Sequence, residues 1–176
     1  MPWNSRYHYV VLTGPESTGK TTLARELADV SGGLYIPEFA RTYVERLGRP
    51  YDREDVEYIA RTQVRQYTEA AVPGKRPIFF DTFLIITKIW FVTAYGAAPA
   101  WIDDEIHRNT IDLFLLCYPD LPWEPDSVRE NPGNRRMELF QAYRRELEDA
   151  NLPFRVVKGV GKIRLQNSLR LLEDDR

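Results

Sequence analysis

The amino-acid sequence predicts an α/β fold in which a parallel sheet is covered by helices on both faces. Strand-like and helix-like segments alternate along the chain, which is the pattern of consecutive βα units. The strand-like segments are largely apolar, as strands buried on both faces are. The chain has 176 residues, of which 43% are hydrophobic, and this suffices for one substantial core with little left for a second. We therefore expect a single domain over residues 1–176.

Five short segments are predicted to form the strands of this sheet. Each is rich in β-branched or aromatic residues and is bounded by residues that favour turns. They are residues 7–12, 34–37, 77–81, 111–118 and 154–158. Because ligands bind outside the carboxyl ends of the strands in open α/β sheets, we expect the functional residues to follow these segments.

Seven further segments are predicted to be helices: residues 20–30, 39–47, 53–71, 84–95, 101–109, 136–151 and 162–173. In the third segment, Asp52 lies where an N-cap is expected, directly before the helix. The same segment carries a stripe of apolar residues at helical spacing, which we assign to the core: Val56, Ile59, Ala60, Val64 and Tyr67.

Charge and apolar patterning exclude several classes of partner. Lys and Arg total 24 against 26 for Asp and Glu, and the net charge of -2 gives no general attraction to nucleic acid or to an anionic membrane. The amino terminus lacks the apolar stretch of a signal peptide, and the most apolar segment, 83–102, is interrupted by Lys88 and Gly96. The single cysteine, Cys117, lies in an apolar run without a disulfide partner, which favours a reducing cytoplasm. The sequence does not indicate an oligomeric state.

The segment 14–21, Gly14-Pro15-Glu16-Ser17-Thr18-Gly19-Lys20-Thr21, fits the pattern G-x-x-x-x-G-K-[ST] between a predicted strand and a predicted helix. Backbone amides at the helix start can converge on phosphate oxygens there. Lys20 would reach the β- and γ-phosphates, and the Thr21 hydroxyl would face Mg²⁺. The competing interpretation is a glycine-rich turn that matches by chance. The residues predicted to bind nucleotide are Gly14, Glu16, Ser17, Thr18, Gly19, Lys20, Thr21 and Thr22.

This motif indicates a nucleotide but not a reaction, because GTPases, ATPase motors and kinases share it. Asp81 ends the third predicted strand, so we interpret it as the acid on the magnesium side, the alternative being an N-cap of the next helix. Glu38 ends the second strand and is the candidate base for an acceptor hydroxyl, unless it only favours the helix start through the macrodipole. Arg41, one turn later, either reaches the same crevice or is solvated.

The segment 119–134 is rich in Pro, Gly, Asn and charge, and loops of this length in compact domains are often lids. A lid arginine would stabilise the negative charge on a phosphoryl group in transfer. Arg129 is the first candidate. Arg135 and Arg136 are further candidates for the nucleotide, although surface arginines are usually solvated.

Aromatic residues surround the expected acceptor pocket, where flat rings can hold a base or a cationic pyridinium. Most of them are expected in the core; the set comprises Trp90, Tyr95, Trp101, Tyr118 and Trp123. The two histidines, His8 and His107, lack the spacing of metal ligands, so Mg²⁺ carried by ATP is the only ion required.

Several sequence blocks together resemble the ribosylnicotinamide kinase domain of the NadR-type regulators of NAD synthesis. These blocks are the phosphate loop with Thr22 and Leu23, the segment 37–41 (Pro-Glu-Phe-Ala-Arg), the pair Asp81-Thr82, and the segment 119–124 with Asp126, Arg129 and Asn131. The resemblance implies a P-loop kinase of strand order 2-3-1-4-5. It also implies that MgATP phosphorylates the 5′-hydroxyl of nicotinamide riboside, which gives nicotinamide mononucleotide.

The resemblance further implies roles for individual residues. Glu38, Asp81 and Arg129 would line the reaction centre, and an aromatic pair, for which we choose Trp90 and Tyr118, would hold the nicotinamide ring. The loop at 159–164 would lie against adenine. NadR-type proteins often carry an adenylyltransferase domain before the kinase, and sometimes a DNA-binding domain. Because this chain begins close to the first strand, we expect neither of those activities from it.

Two alternatives stay open at this point. A nucleoside or deoxynucleoside kinase would need polar groups that match the edge of a base, for which Gln63 and Gln66 are available. A regulatory module that hydrolyses ATP slowly and signals through its lid is the other alternative, although no effector domain is recognised in the sequence.

Overall fold

A computed structural model describes residues 5–70, 76–125 and 134–173 of the chain. Within these residues a single five-stranded parallel sheet has the order β2-β3-β1-β4-β5. The strands are β1 (Tyr9–Thr13), β2 (Leu34–Ile36), β3 (Ile78–Asp81), β4 (Leu113–Cys117) and β5 (Phe154–Val157). The α/β class and the strand order that the resemblance implied are both confirmed.

The helices lie between the strands in the chain, and their ends agree with the predicted ends to within two residues. In the described parts of the chain they are α1 (Lys20–Ser31), α2 (Phe39–Arg46), α3 (Arg53–Ala70), α4 (Leu84–Tyr95), α5 (Ala100–Arg108), α6 (Asn134–Asp149) and α7 (Lys162–Glu173). None of the helices in these parts is long and apolar enough to cross a bilayer.

Strand β1 begins two residues later than predicted, and a side chain bonds the backbone at its start. Oδ2 of Asp112 accepts hydrogen bonds from the amides of His8 at 2.7 Å and Tyr9 at 2.8 Å. These amides are therefore satisfied before the regular ladder starts. Asp112 is also the residue directly before β4, which begins at Leu113.

The core has one layer on each face of the sheet, because alternate strand residues point to opposite faces. Phe80 packs on one face among residues of α3, α4 and α6, and its neighbour Phe79 packs on the other face with Leu23 and Leu27 of α1. Each of these rings is almost fully buried, which contributes about 1.5–3 kcal/mol per side chain. The central strands are thereby fixed between two apolar layers.

Helix α3 supplies most of its predicted apolar stripe to the core and begins at a capped end. Oδ1 of Asp52 accepts the amides of Glu54 and Asp55, both at 3.0 Å, and Oδ2 of Asp55 accepts the amide of Asp52 at 2.8 Å. This reciprocal arrangement is a capping box, with aspartate in the position where glutamate is more common. The N-cap prediction for Asp52 is confirmed.

The register of the sheet decides which side chains meet at its carboxyl edge. Leu12 of β1 pairs with Asp81 of β3 and with Leu115 of β4. The loop that follows β1 and the carboxylate that ends β3 therefore lie side by side, at the edge where such sheets bind ligands.

Candidate functional site

The loop between β1 and α1 lies directly against the end of β4. Gly14 has φ +124°, and a Cβ added there would lie 2.9 Å from the carbonyl oxygen of Cys117. Because that neighbour is backbone in a central strand, it cannot move aside, and the position requires glycine. Gly19 has φ +72°, with Leu121 Cδ1 at 2.9 Å from an added Cβ. The two fixed glycines of the motif thus allow a close backbone approach on two sides.

Lys20 lies over this loop. Its Nζ donates a hydrogen bond of 2.7 Å to the carbonyl oxygen of Pro15, which also accepts the hydroxyl of Thr18 at 2.8 Å. Helix α1 has no acidic residue in its first turn, so the partial positive charge of its start is not offset by its own side chains. This arrangement of ammonium group and helix start is suited to a polyphosphate.

Asp81 faces the first turn of α1. The Thr21 hydroxyl donates a hydrogen bond of 2.6 Å to Oδ2 of Asp81, and the Tyr35 hydroxyl donates one of 3.3 Å to the same oxygen. Asp81 is only 2% exposed, and its Oδ1 has no hydrogen-bond partner among the residues that the structure describes. Buried carboxylate oxygens are rarely left unsatisfied, so Oδ1 is a candidate ligand for a group that would bind at this site.

Tyr35 is a site residue that the sequence did not indicate. Burial raises the pKa of its hydroxyl, and the charge of Asp81 adds to this effect. Tyr35 therefore stays protonated and remains a hydrogen-bond donor. The guanidinium of Arg25 lies 5.2 Å from the centre of its ring, a distance typical of a cation–π contact. A tyrosine in a strand has no local signal that separates this role from ordinary packing.

The donor set fits Mg²⁺ that arrives with a nucleotide. The hydroxyl of Thr21 and the free oxygen of Asp81 are hard oxygen ligands, which Mg²⁺ prefers. In the described parts of the chain, no three His, Cys, Asp or Glu side chains form a metal-binding group. An ion at this place must therefore take further ligands from phosphate and water, as Mg²⁺ commonly does.

Glu38 occupies the N-cap position of α2, but its side chain makes no hydrogen bond to the amides of that helix. Burial raises the pKa of Tyr143 on α6, and the negative charges of Glu38 and Glu16 raise it further. The two carboxylates therefore lie near the same buried hydroxyl, with Glu16 on the phosphate loop. Arg41 forms a salt bridge of 3.1 Å with Glu45 along α2.

The segment after β4 closes over the phosphate loop. The amide of Glu124 donates to Oγ of Ser17 at 3.1 Å, and Nε1 of Trp123 donates to Oε1 of Glu16 at 3.5 Å. Arg136 donates to the carbonyl oxygens of Ser17 and Leu121, at 3.2 and 2.6 Å, and to that of Pro119. The Arg136 guanidinium thus contacts the phosphate loop at the backbone carbonyl oxygen of Ser17.

The other predicted lid arginines differ in their surroundings. Arg135 is exposed at the start of α6. Arg129 lies outside the residues that the structure describes, as do Asp126 and Asn131. The predicted role of Arg129 in transfer stays a prediction.

Arg164 on α7 is a second residue that sequence reasoning missed. It is 4% exposed and forms a salt bridge of 2.8 Å with Asp120. It also donates to the carbonyl oxygen of Thr18 in the phosphate loop at 2.6 Å and to that of Gly159 at 2.7 Å. The phosphate loop and the loop before α7, which line a shared cavity of about 120 Å³, are therefore held together by one buried guanidinium.

The two rings that were predicted to contact the acceptor each pack against another aromatic ring. Trp90 meets Tyr51 edge-on, with ring centres 4.7 Å apart. Tyr118 meets Phe140 edge-on at 5.1 Å, and Nζ of Lys158 lies 4.8 Å from its centre. Both rings are half-buried at the margin of the core. Their predicted contact with an acceptor stays a prediction.

Comparisons with known proteins give both a family and structural neighbours. A model of the AAA-domain family matches residues 9–164. The trifunctional NAD biosynthesis/regulator protein NadR of Salmonella typhimurium is 28% identical over 155 residues, which cover 85% of this chain and 38% of NadR. The protein of that name from Escherichia coli is 28% identical over 153 residues, or 82% of this chain and 37% of its own length. The chain thus spans about two fifths of these relatives.

Solved structures agree in fold. NadR in complex with NR has a TM-score of 0.74 and 19% identity, over 95% of this chain and 51% of that one. NadR with NAD and AMP-PNP has a TM-score of 0.71 and 20% identity, over 95% of this chain and 49% of that one. Deoxyadenosine kinase from M. mycoides has a TM-score of 0.68 and 15% identity, over 94% and 99% of the two chains.

Proposed function

Because this chain belongs to the AAA-domain family, whose model covers residues 9–164, and has the P-loop kinase fold, we propose that it is an ATP-dependent ribosylnicotinamide kinase. In this proposal residues 1–176 form one kinase domain. Its acceptor is the 5′-hydroxyl of nicotinamide riboside, and its products are nicotinamide mononucleotide and ADP. The similarity to NadR, which includes a structure described as a complex with NR, supports this choice of acceptor.

The observation that carries the proposal is the hydrogen bond of 2.6 Å between Thr21 and Asp81. This bond joins the phosphate loop to Asp81 at the end of β3. A metal-bound triphosphate would need both the loop and this acid. In phosphoryl transfer the protein acts mainly by positioning and by electrostatic stabilisation, so this geometry is most of what the reaction requires.

In this proposal, each residue of the site has its own role in phosphoryl transfer. Lys20 and the loop amides of residues 14–22 bind the β- and γ-phosphates, and Thr21 and Asp81 hold the ion. Mg²⁺ supplies positive charge that neutralises the phosphate oxygens. Glu38 accepts the proton as the acceptor hydroxyl attacks the γ-phosphorus and the bond to the β-phosphate oxygen breaks, which releases ADP. Arg129 neutralises the charge on the moving group.

Glu38 is a better base than Asp81 in this proposal. Oδ2 of Asp81 already accepts two hydrogen bonds, from Thr21 and Tyr35. Hydrogen bonds to a carboxylate favour its ionised form and make it a weaker proton acceptor. Glu38 follows β2 at the same carboxyl edge of the sheet, where the acceptor is expected to bind, and this position supports it as the base.

A deoxynucleoside kinase is the second candidate, supported by the fold shared with deoxyadenosine kinase. It requires polar groups that recognise a base edge, and the two glutamines considered for that role have other partners. Gln63 is 3% exposed, and its amide bonds to Thr82 and Thr87. Nε2 of Gln66 donates to the carbonyl oxygen of Pro37 at 3.4 Å. These contacts favour the riboside over the base-reading alternative.

Mass spectrometry of reactions with ATP and a panel of ribosides tests the proposal directly. The panel contains nicotinamide riboside, deoxyadenosine, adenosine and uridine, each at the same concentration. We expect a monophosphate from nicotinamide riboside, at a rate at least about ten times that of any other acceptor. The Lys20→Ala variant, purified in parallel, controls for contaminating kinases. A product only from the deoxynucleoside would contradict the proposal, and so would ADP release that no acceptor changes.

A further inference from the structure

The residue directly after Asp81 has an unusual backbone conformation. Thr82 has φ +72° and is 5% exposed. Positive φ is rare for a β-branched residue, because its side chain crowds the backbone in the left-handed region. Its amide donates to the carbonyl oxygen of Leu12 at 3.1 Å, which continues the pairing of β3 with β1. The chain therefore turns sharply directly after Asp81, at the end of β3.

A buried polar network holds this turn from the side. Nε2 of Gln63 on α3 donates to Oγ1 of Thr82 at 3.4 Å, and Oγ1 of Thr87 on α4 donates to Oε1 of Gln63 at 3.0 Å. Gln63 is 3% exposed and Thr87 is 0% exposed. We call Gln63, Thr82 and Thr87 the Gln63 network. It connects α3 and α4 to the side chain of Thr82, the residue after Asp81.

The neighbouring part of the core is apolar, with Phe83, Leu84 and Ile59 all almost fully buried. A buried amide among such residues is tolerated only when its donor and acceptor are satisfied. Strained backbone persists only where the surroundings over-determine it, and such positions cluster at functional sites. Within the residues packed around Thr82, the Gln63 network supplies the hydrogen bond to the Thr82 side chain.

We propose that Gln63 and Thr87 are positioning residues that act through Thr82 on the Asp81 carboxylate. By fixing the turn at Thr82, they keep Oδ2 of Asp81 at the Thr21 hydroxyl and aim Oδ1 at the place where the nucleotide's Mg²⁺ binds. The inference rests on the proposed function for the role of Asp81. It adds that part of the Mg²⁺-dependent nucleotide affinity depends on two helices that do not touch the nucleotide.

Calorimetry with AMP-PNP tests this inference without turnover and without an acceptor. The affinity is measured once with excess Mg²⁺ and once with EDTA, and the ratio of the two values is the Mg²⁺-dependent gain. The variants are Thr87→Val, which removes only the hydroxyl, Gln63→Leu, and Thr87→Ser, which keeps the hydroxyl. The matched control is Thr68→Val. The Thr68 hydroxyl bonds within its helix to the carbonyl oxygen of Val64 at 2.9 Å, as the Thr87 hydroxyl does to that of Leu84 at 3.1 Å, but Thr68 is exposed.

We expect Thr87→Val and Gln63→Leu to reduce the Mg²⁺-dependent gain by about fivefold, the equivalent of one net hydrogen bond. The affinity in EDTA should change by less than about twofold, Thr87→Ser should restore most of the gain, and Thr68→Val should resemble the wild type. The double variant Gln63→Leu/Thr87→Val leaves no buried amide without a partner, so it should fold even if a single variant does not, with the same reduced gain.

An unchanged gain in the double variant would overturn the inference. So would a loss of affinity that is equal with Mg²⁺ and with EDTA, because a merely structural role predicts that result. Failure of the proposed function would give a different result. The wild type would then phosphorylate no riboside, whatever the binding data for the Gln63 network show.

Discussion

The Thr21 hydroxyl and Oδ2 of Asp81 lie 2.6 Å apart, and this hydrogen bond joins the first turn of α1 to the end of β3. Tyr35 donates to the same oxygen from β2. One carboxylate oxygen is therefore held by two adjacent elements, while the other lies buried without a partner in the described parts of the chain. Oδ2 of Asp81 thus has a structural role, and in the proposed function Oδ1 is left to hold Mg²⁺. Substitution of each residue of the site is therefore expected to have a distinct effect.

The Glu38→Gln variant should lose turnover far more than nucleotide affinity. Removal of a general base typically costs about 10²–10⁴-fold in rate, whereas the phosphates bind elsewhere. Steady-state kinetics with nicotinamide riboside, together with ATP affinity by calorimetry, measure both quantities. Glu148→Gln, on the exposed face of α6, is the control. Equal losses in rate and in affinity would assign Glu38 to binding instead.

The Lys20→Ala variant should abolish transfer and leave the fold intact. In the described parts of the chain, the Nζ of Lys20 donates a hydrogen bond to the loop carbonyl oxygen of Pro15. Its loss therefore removes charge at the phosphates and little packing. Circular dichroism and thermal unfolding check the fold, and product formation checks transfer. Arg108→Ala removes an exposed cation for comparison. Retained turnover in Lys20→Ala would contradict the assignment of the phosphate site.

The Tyr35→Phe variant should raise the Mg²⁺ concentration required for half-maximal activity. The substitution removes one hydrogen bond to Oδ2 of Asp81, and the net value of such a bond corresponds to about threefold to tenfold in an equilibrium constant. Titration of activity with Mg²⁺ at saturating ATP measures the change. Tyr58→Phe, at an exposed position, should behave as the wild type. An unchanged Mg²⁺ requirement would show that the Tyr35 hydroxyl does not orient Asp81.

The Arg164→Met variant should unfold at a lower temperature and bind ATP more weakly. It leaves Asp120 without its buried partner and removes the bond to the phosphate loop at Thr18. Asp120 is itself exposed, so the cost comes mainly from the lost charge-assisted hydrogen bonds to the carbonyl oxygens of Thr18 and Gly159. At about 1.5–3 kcal/mol each, these bonds correspond to about 10 °C in the unfolding midpoint of a chain of this size. Calorimetric scans measure the midpoint. Arg170→Met, on the same helix but exposed, should change it little.

The fold should lose stability through Asp55 in strong acid, below about pH 4. The guanidinium of Arg49 holds the pKa of Asp55 well below its usual range by two hydrogen bonds, of 2.6 and 3.0 Å. Because this pKa is lower in the folded state than in the unfolded state, the contribution is complete above the usual aspartate pKa of about 3.9 and decreases as the pH falls below it.

Urea unfolding between pH 7 and pH 3 measures this dependence. The Asp55→Asn variant should be less stable at pH 7 and should lose less stability on acidification than the wild type. Asp104→Asn, at an exposed position of α5, should leave the pH profile unchanged. Parallel profiles for Asp55→Asn and the wild type would mean that other carboxylates control the acid transition.

Much of this architecture follows from patterns that are local in the chain. The strands were predicted because 77–81 and 111–118 are short apolar runs between turn residues, and the helices because their apolar residues recur at helical spacing. The phosphate loop was predicted because its glycines, Lys20 and Thr21 occur at fixed spacing. Each of these signals depends on neighbours within a few residues, so a sequence alone contains it.

The sequence by itself therefore determined the element order, the phosphate loop and the acid that ends β3, whereas Glu38, predicted at the end of the second strand, is the N-cap of α2. Only the tertiary structure decided that Arg164 is buried, that Tyr35 bonds to Asp81, and that the amide of Gln63 supports the turn at Thr82. The physical reason is that the partners of a polar side chain are set by whichever elements pack around it. Gln63 and Thr82 are 19 residues apart and Thr18 and Arg164 are 146 apart, distances over which no local pattern extends.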